Sequence, residues 1–281
     1  VELSLGGMPV STKNWKWEMN FNIAKNSNKL VELADGVDSY SIYWTSFTTR
    51  LYNYAMVGKS LGVITGNTWE RDDNGNIIFH ELSASQKALY GGEYVPTYNQ
   101  NTLDELGNFH PDFTGGFNTS ISFKNFRLSA NIDFSVGGQI VSYTNMWGSN
   151  SGILDKTAEI IDRGVNVREP VSKGGGIHMT GVDQNGNKVD TYVNAKLYYT
   201  TASRVWEEWV YDRTYVKLRE VSLSYVFPSQ TLKKLNIGLS RASVAINASN
   251  PWLIYSACPN VDVSEIGMGY FEGVNAAATS S

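Results

Sequence analysis

The residues that could do chemistry are few and scattered. The chain of 281 residues holds three histidines, His80, His110 and His178, and none has a second His or Cys at metal-ligand spacing. One cysteine, Cys258, has no histidine near it in sequence, so neither a nucleophile nor an internal disulfide framework is implied. Gly174-Gly175-Gly176 lacks the preceding strand, the lysine and the spacing of a phosphate loop and reads as a flexible connection. Arg71–Asn76 and Asp183–Asn187 each carry an acidic residue near an Asn-Gly pair. A calcium loop wants its glycine at the sixth position and a distal Glu. With Asp72 counted as the first position Gly75 comes fourth, so both stretches read as hairpin turns built on the positive φ of Asn-Gly. No metal, cofactor or catalytic residue is expected, and the chain is not expected to be an enzyme.

Binding chemistry fits better. Ligands such as sugars present C–H faces to aromatic rings and hydroxyls to nearby polar groups. Trp44, Trp69, Tyr98 and Trp147 lie in long irregular stretches near Asn67, Asn99, Asn101 and Asn145. Trp44, Trp69, Tyr98, Asn145 and Trp147 are therefore the candidate substrate contacts. Trp15, Trp17, Trp206, Trp209 and Trp252 fall near strand ends, where a membrane-interface belt is the expected setting. The net charge of −4 gives no basic stripe for nucleic acid.

The elements that must position these residues are strands. From Phe126 to Val136, six apolar residues alternate strictly with Arg127, Ser129, Asn131, Asp133 and Ser135. Its partner arm, with Ile121 and Phe123, joins it through Lys124-Asn125, short enough for a tight hairpin. A second long strand carries Trp15, Trp17, Met19, Phe21 and Ile23 on one face. Such strands suit either a soluble sandwich with its apolar face inward or a transmembrane barrel with that face outward. Roughly 9–11 residues is what a tilted strand needs to cross a bilayer, which favours the barrel. Arg127, Asn131 and Asp133 would then face the lumen. Six strands are expected, over 1–6, 15–24, 114–123, 126–137, 208–227 and 241–253. Short connections fall at 8–14, 124–125 and 228–240, with a helical turn over 229–236 capped by Ser229. Long ones fall at 25–112, 137–205 and beyond 252, with a short helix over 153–163. Long loops at every second connection are a habit of outer-membrane barrels. No run of about 18 apolar residues marks a transmembrane helix. The chain begins inside strand-like sequence and reads as a piece of a longer one.

Several segments resemble the SusC-like branch of TonB-dependent outer-membrane transporters: Trp15–Leu33, Val57–Gly66, Arg71–Ile77, Pro111–Phe117, Phe123–Gln139 and Tyr215–Pro228. Their order and spacing span nearly the whole chain. The resemblance implies an all-β fold, antiparallel strands forming part of a roughly 22-stranded transmembrane β-barrel with long extracellular loops. It implies that residues 1–281 are the C-terminal portion of that barrel, with the plug domain, earlier strands and last strand outside this stretch. It further implies import of oligosaccharides, or sometimes peptides, driven by TonB, in the bacterial outer membrane with its lipid as solvent, beside a SusD-like surface lipoprotein. The rivals are a soluble β-sandwich carbohydrate-binding module, which would bury Phe126, Leu128, Ile132 and Phe134, and a surface glycan hydrolase with two carboxylates roughly 5–9 Å apart.

Overall fold

The structure is a computed structural model and describes residues 1–45, 50–101, 103–235, 238–265 and 271–272. The chain divides into two compact units, one built from Val1–Ser27, His110–Gly138 and Asp212–Glu265, the other mainly from Asn28–Phe109 and Gln139–Tyr211.

The first unit is a six-stranded antiparallel meander whose spatial order follows the chain: β1 (Glu2–Ser11), β2 (Trp15–Ala24), β3 (Phe113–Phe123), β4 (Phe126–Val136), β5 (Tyr215–Val226) and β6 (Ser243–Ser256). All six fall where the alternation places them. The register turns that alternation into rows. Trp17, Ile121, Leu128, Leu223 and Ile246 lie opposite one another across β2 to β6. The next row is Trp15, Phe123, Phe126, Tyr225 and Val244. Rings stack along it, with Trp15 and Phe123 centroids 4.3 Å apart and Phe126 and Tyr225 4.6 Å apart. Cross-strand aromatic pairs of this kind are the unit of sheet stabilisation. Lys124, at φ 52°, closes the β3–β4 hairpin so that Phe123 pairs directly with Phe126.

Three boundaries differ from the expected ones. β1 runs through Gly6–Pro9 to Ser11, past a bulge between Gly7 and Val10, and leaves only Thr12–Asn14 as the turn. An edge strand can hold Pro9, since one side of it donates to no ladder. β6 runs on to Ser256 rather than 253, carrying Pro251 for the same reason, with Asn250 at φ 49° and a register shift. β5 starts at Tyr215 rather than 208, because Trp206–Trp209 forms a 3-10 turn with both indoles buried at helical spacing.

The second unit occupies what reads as long loops. It holds two four-stranded sheets, Ser39–Thr45, Leu51–Met56, Val63–Gly66 and Asp104–Asn108 in one, and Lys188–Val193, Ile177–Asp183, Ile78–Glu81 and Tyr94–Pro96 in the other. Helices Ala84–Tyr90, Tyr143–Asn150 and Ala195–Ala202 complete it. The two Asn-Gly stretches are turns, with Asp72 Oδ1 accepting the Asn74 and Asn76 N–H groups and Asp183 Oδ1 those of Asn185 and Asn187; Gly75 and Gly186 take positive φ, but Asn74 and Asn185 do not, so the positive φ expected of the pair is met at the glycine alone. The helix expected over 153–163 is reduced to a single 3-10 turn, Asp155–Thr157. The chain there folds back instead, with Ile161 N–H on Val165 O and Val167 N–H on Glu159 O. The core centres on Met146, Val167, Trp206 and Trp209, with Trp69 and Tyr199 packed against them. The expected helical turn after β5 is the helix Ser229–Leu235.

Candidate functional site

The polar rows of the first unit face a concavity of about 660 Å³. Asn20, Asn118, Asn131 and Glu220 form one row across β2 to β5, and Glu18, Ser120, Ser129 and Ser222 the next. Arg127 and Asn131 line this concavity. Arg127 Nη2 donates to Ser120 Oγ at 3.1 Å and lies 3.7 Å from Glu18 Oε2, while Lys16 Nζ sits 2.7 Å from Glu18 Oε1. The arrangement offers amides, hydroxyls and balanced charge on one wall, which is a wet surface rather than a core.

Asp133 belongs to a different cluster on the same face. Its Oδ2 accepts from Arg219 Nε at 2.9 Å and from Tyr215 OH at 3.3 Å. Arg219 Nη1 reaches Glu265 Oε1 at 2.5 Å. Lys217, only 3% exposed, donates to Asp262 Oδ2 at 2.6 Å, Glu265 Oε1 at 2.9 Å and Ser264 Oγ at 3.1 Å. These bonds tie the segment after β6 onto the polar face of β5, and Cys258 and Val263 of that segment are buried beneath it. Burial alone would raise the Asp262 carboxyl, but hydrogen bonds from Lys217 and Ser264 outweigh it and hold it below the usual range. Hydrogen bonds from Lys217 and Arg219 do the same for Glu265. Sequence reasoning missed Lys217, Arg219, Asp262 and Glu265. Their spacing of more than 40 residues leaves no local signal, although Lys217 sits at a polar-face position of the β5 alternation.

Four of the five candidate substrate contacts have described side chains, and of these Trp69 and Tyr98 come together. Trp69 is 2% exposed, its Nε1 donates to Glu208 Oε1 and its ring stacks on Tyr198, so it is a core residue. Tyr98 pairs with Trp69 through an isolated β-bridge and packs against the same core. Asn145 is buried in the helix Tyr143–Asn150, where its N–H is capped by Ser142 Oγ. Trp147, on that helix, is about one-third exposed. The side chain of Trp44 lies outside the described residues.

Elsewhere in the second unit, Lys156 Nζ sits 4.4 Å over the Trp209 ring, and burial pulls its pKa below that of an ordinary lysine. Burial, reinforced by Glu159 and Glu208, pushes the Tyr199 hydroxyl up to about 12. His178 Nε2 meets Asp190 Oδ1 at 2.7 Å and stacks on Tyr192. Among the described residues no three His, Cys, Asp or Glu groups gather to hold a metal.

The exposed apolar face decides the class. Leu128 is 46%, Ile246 74% and Trp252 62% exposed, while the polar rows line the concave side. The sandwich rival needs Phe126, Leu128, Ile132 and Phe134 buried; Phe126 is 51% exposed, Leu128 is exposed too, and Ile132 and Phe134 are only half-buried. The chain is thus an antiparallel β protein whose first unit turns its apolar side outward. Its expected likeness to the SusC-like TonB-dependent receptors is borne out by comparison with known proteins. It is 26% identical over 269 residues to TonB-dependent receptor P3 of Formosa agariphila, covering 93% of this chain and 24% of the relative. It is 24% identical to TonB-dependent receptor P26 of the same organism, covering 97% of this chain and 27% of that one. The chain therefore spans about a quarter of the length of these relatives. Among solved structures, the RagAB peptide importer in its open-open state matches with a TM-score of 0.60 at 15% identity, over 96% of this chain and 26% of that one. The closed-closed state matches at 0.55 and 17% identity, over 91% and 25%. These likenesses show the fold. No protein-family model matches the chain.

Proposed function

We propose that residues 1–281 form six strands of the wall, with the attached long connections, in the C-terminal part of a roughly 22-stranded outer-membrane barrel that imports a nutrient. The long connections are extracellular loops, and Arg127, Asn131 and Asp133 face the lumen. The whole receptor would draw energy through TonB, close its outer mouth with a SusD-like lipoprotein, and move its ligand without making or breaking bonds. The ligand is an oligosaccharide. A peptide is the second reading, favoured because the matched solved structures are peptide importers.

One observation carries this reading. Two apolar rows run unbroken across β2 to β6 and are exposed at all but Trp17 and Tyr225, which are half-buried, while the alternate rows, with Asn20, Asn118 and Asn131, line a concavity. Water would not tolerate so large an apolar face on a soluble protein, whereas a lipid-facing barrel requires it. Spin labels placed singly at 126 to 136 in the whole receptor test it. Access to dissolved oxygen is expected to peak at Phe126, Leu128, Ile132 and Phe134, and access to a water-soluble nickel chelate at Arg127, Asn131 and Asp133. Flat profiles, or oxygen access on the polar set, would overturn the orientation. Uptake of labelled oligosaccharide or peptide by cells with and without TonB tests the transport half.

A further inference from the structure

A second cavity, of about 520 Å³, lies wholly within the second unit and has no role in the reading above. Two cations line it, Arg168 and Lys196, and no carboxylate does. That sign is against the grain of a chain with net charge −4. Neither cation makes an ion pair among the described residues.

Arg168 is held rigidly from behind. Its Nε donates to Thr157 O at 2.6 Å and its Nη2 to Thr157 Oγ1 at 2.8 Å and to the Gly152 carbonyl. Every acceptor is neutral, and among the described residues none meets Nη1. The guanidinium is therefore oriented with charge and donors to spare. Lys196 stands in the first turn of the helix Ala195–Ala202, whose Asn194 cap accepts from Leu197 N–H and leaves the Ala195 and Lys196 N–H groups over. A lysine at the positive end of a helix is the wrong sign for stability but the right sign for holding an anion. Ser149 and Asn150, at the end of the helix Tyr143–Asn150, form another part of the cavity wall. Tyr199 and Tyr90 supply the apolar sides.

We infer that this cavity binds the carboxylate-bearing end, one or two residues deep, of a longer ligand, Arg168 and Lys196 holding the anion and Tyr90 and Tyr199 its body. The volume lies within the ordinary range for small-ligand sites. Two sources supply that chemistry, a uronic-acid oligosaccharide and the C-terminus of a peptide. The choice between them rests on the import reading, while the binding itself does not.

The test is calorimetric titration of the whole receptor in detergent with four probes: a trimer of galacturonic acid, its methyl ester, a tripeptide with a free C-terminus and the same tripeptide amidated. Binding of one or both acids is expected, with loss on esterification or amidation and weakening by salt. Lys196→Gln is expected to weaken the acid about tenfold, the typical worth of a hydrogen bond to a charged group, and Arg168→Gln more. Because Arg168 also braces Thr157 and Gly152, the exposed Lys196 is the decisive variant. Equal binding of acid and blocked probe, no binding of either acid, or acid binding untouched by Lys196→Gln would each overturn the site. Uptake that persists alongside any of those results would leave the importer reading standing, so the two fail separately.

Discussion

The two units use the same side chains in opposite senses. In the first, Leu128, Ile246 and Trp252 stand out from the sheet and Asn131 and Ser129 turn to the concave side. In the second, Trp206, Met146 and Val167 are fully buried, as in any water-soluble body. Tryptophan shows the contrast most directly, at 62% exposure for Trp252 and 0% for Trp206. The two units thus follow opposite burial patterns. The lesson is that burial is relative to the solvent the element expects, so an exposed apolar row counts as an error only when water is the neighbour.

The contrast can be attacked first where it is steepest. Trp206→Ala should destabilise the second unit by about 3–5 kcal/mol, the cost of emptying a large aromatic site. Hydrogen exchange across 195–209 is the measurement, and β4 should stay protected. Loss of protection in both units together would mean that they share one core rule. Next comes a charge on the outward face. Ile132→Arg should cost about 2–4 kcal/mol if that face meets the bilayer midplane. Asn131→Arg, one residue away on the concave side, should cost little. Folding into lipid vesicles, followed by gel mobility, compares the two, and equal costs would break the contrast.

The same contrast explains what could be read in the sequence. The six strands were legible because each must keep one face for an apolar neighbour and one for water, which writes a period of two along Phe126–Val136 and Trp15–Ile23. The second unit wrote no such period. Its core joins Trp69, Met146, Val167 and Trp206, far apart in the chain, and its strands are buried from several sides, as at Leu51–Ala55 and Val63–Gly66. It therefore looked like loop. The candidate contacts suffered accordingly: Trp69 and Asn145 were singled out for aromatic and amide chemistry, and the fold spends them on packing and in the body of a helix. Arg168 and Lys196 could not be paired from sequence, because they reach one cavity from two separate elements, Arg168 held on Thr157 and Gly152 and Lys196 carried by the helix Ala195–Ala202.

A smaller effect lies on the concave side, where charge is buried by only a short segment. Asp262 and Glu265 are held below their usual pKa by Lys217 and its neighbours. A depressed carboxylate adds stability that is complete above its unfolded pKa of about 4 and is lost as pH falls through the lower folded value. The segment Ala257–Glu265 should therefore stay closed at neutral pH and loosen below about pH 4. Cys258, 1% exposed, reports it. Labelling by a dipyridyl disulfide, which reacts in acid, should accelerate there, and Lys217→Met should make labelling fast already at pH 7. A rate that ignores both changes would show that apolar contacts, not this ionic tie, hold the segment.

The smallest effect is the place where the two units should agree. Lys16–Glu18 on the concave face and Lys59–Glu105 in the second unit are both ion pairs with side chains roughly one-third to one-half exposed. Two long side chains must be ordered to form each, and water and salt screen what is gained, so such pairs add little to stability. Glu18→Gln and Glu105→Gln should each shift the unfolding temperature only slightly, and less still at high salt. Thermal unfolding in detergent at low and high ionic strength is the comparison. If Glu18→Gln cost several times as much as Glu105→Gln, the concave side would not be filled with water, and the contrast between an oily outside and a wet inside would lose its inner half.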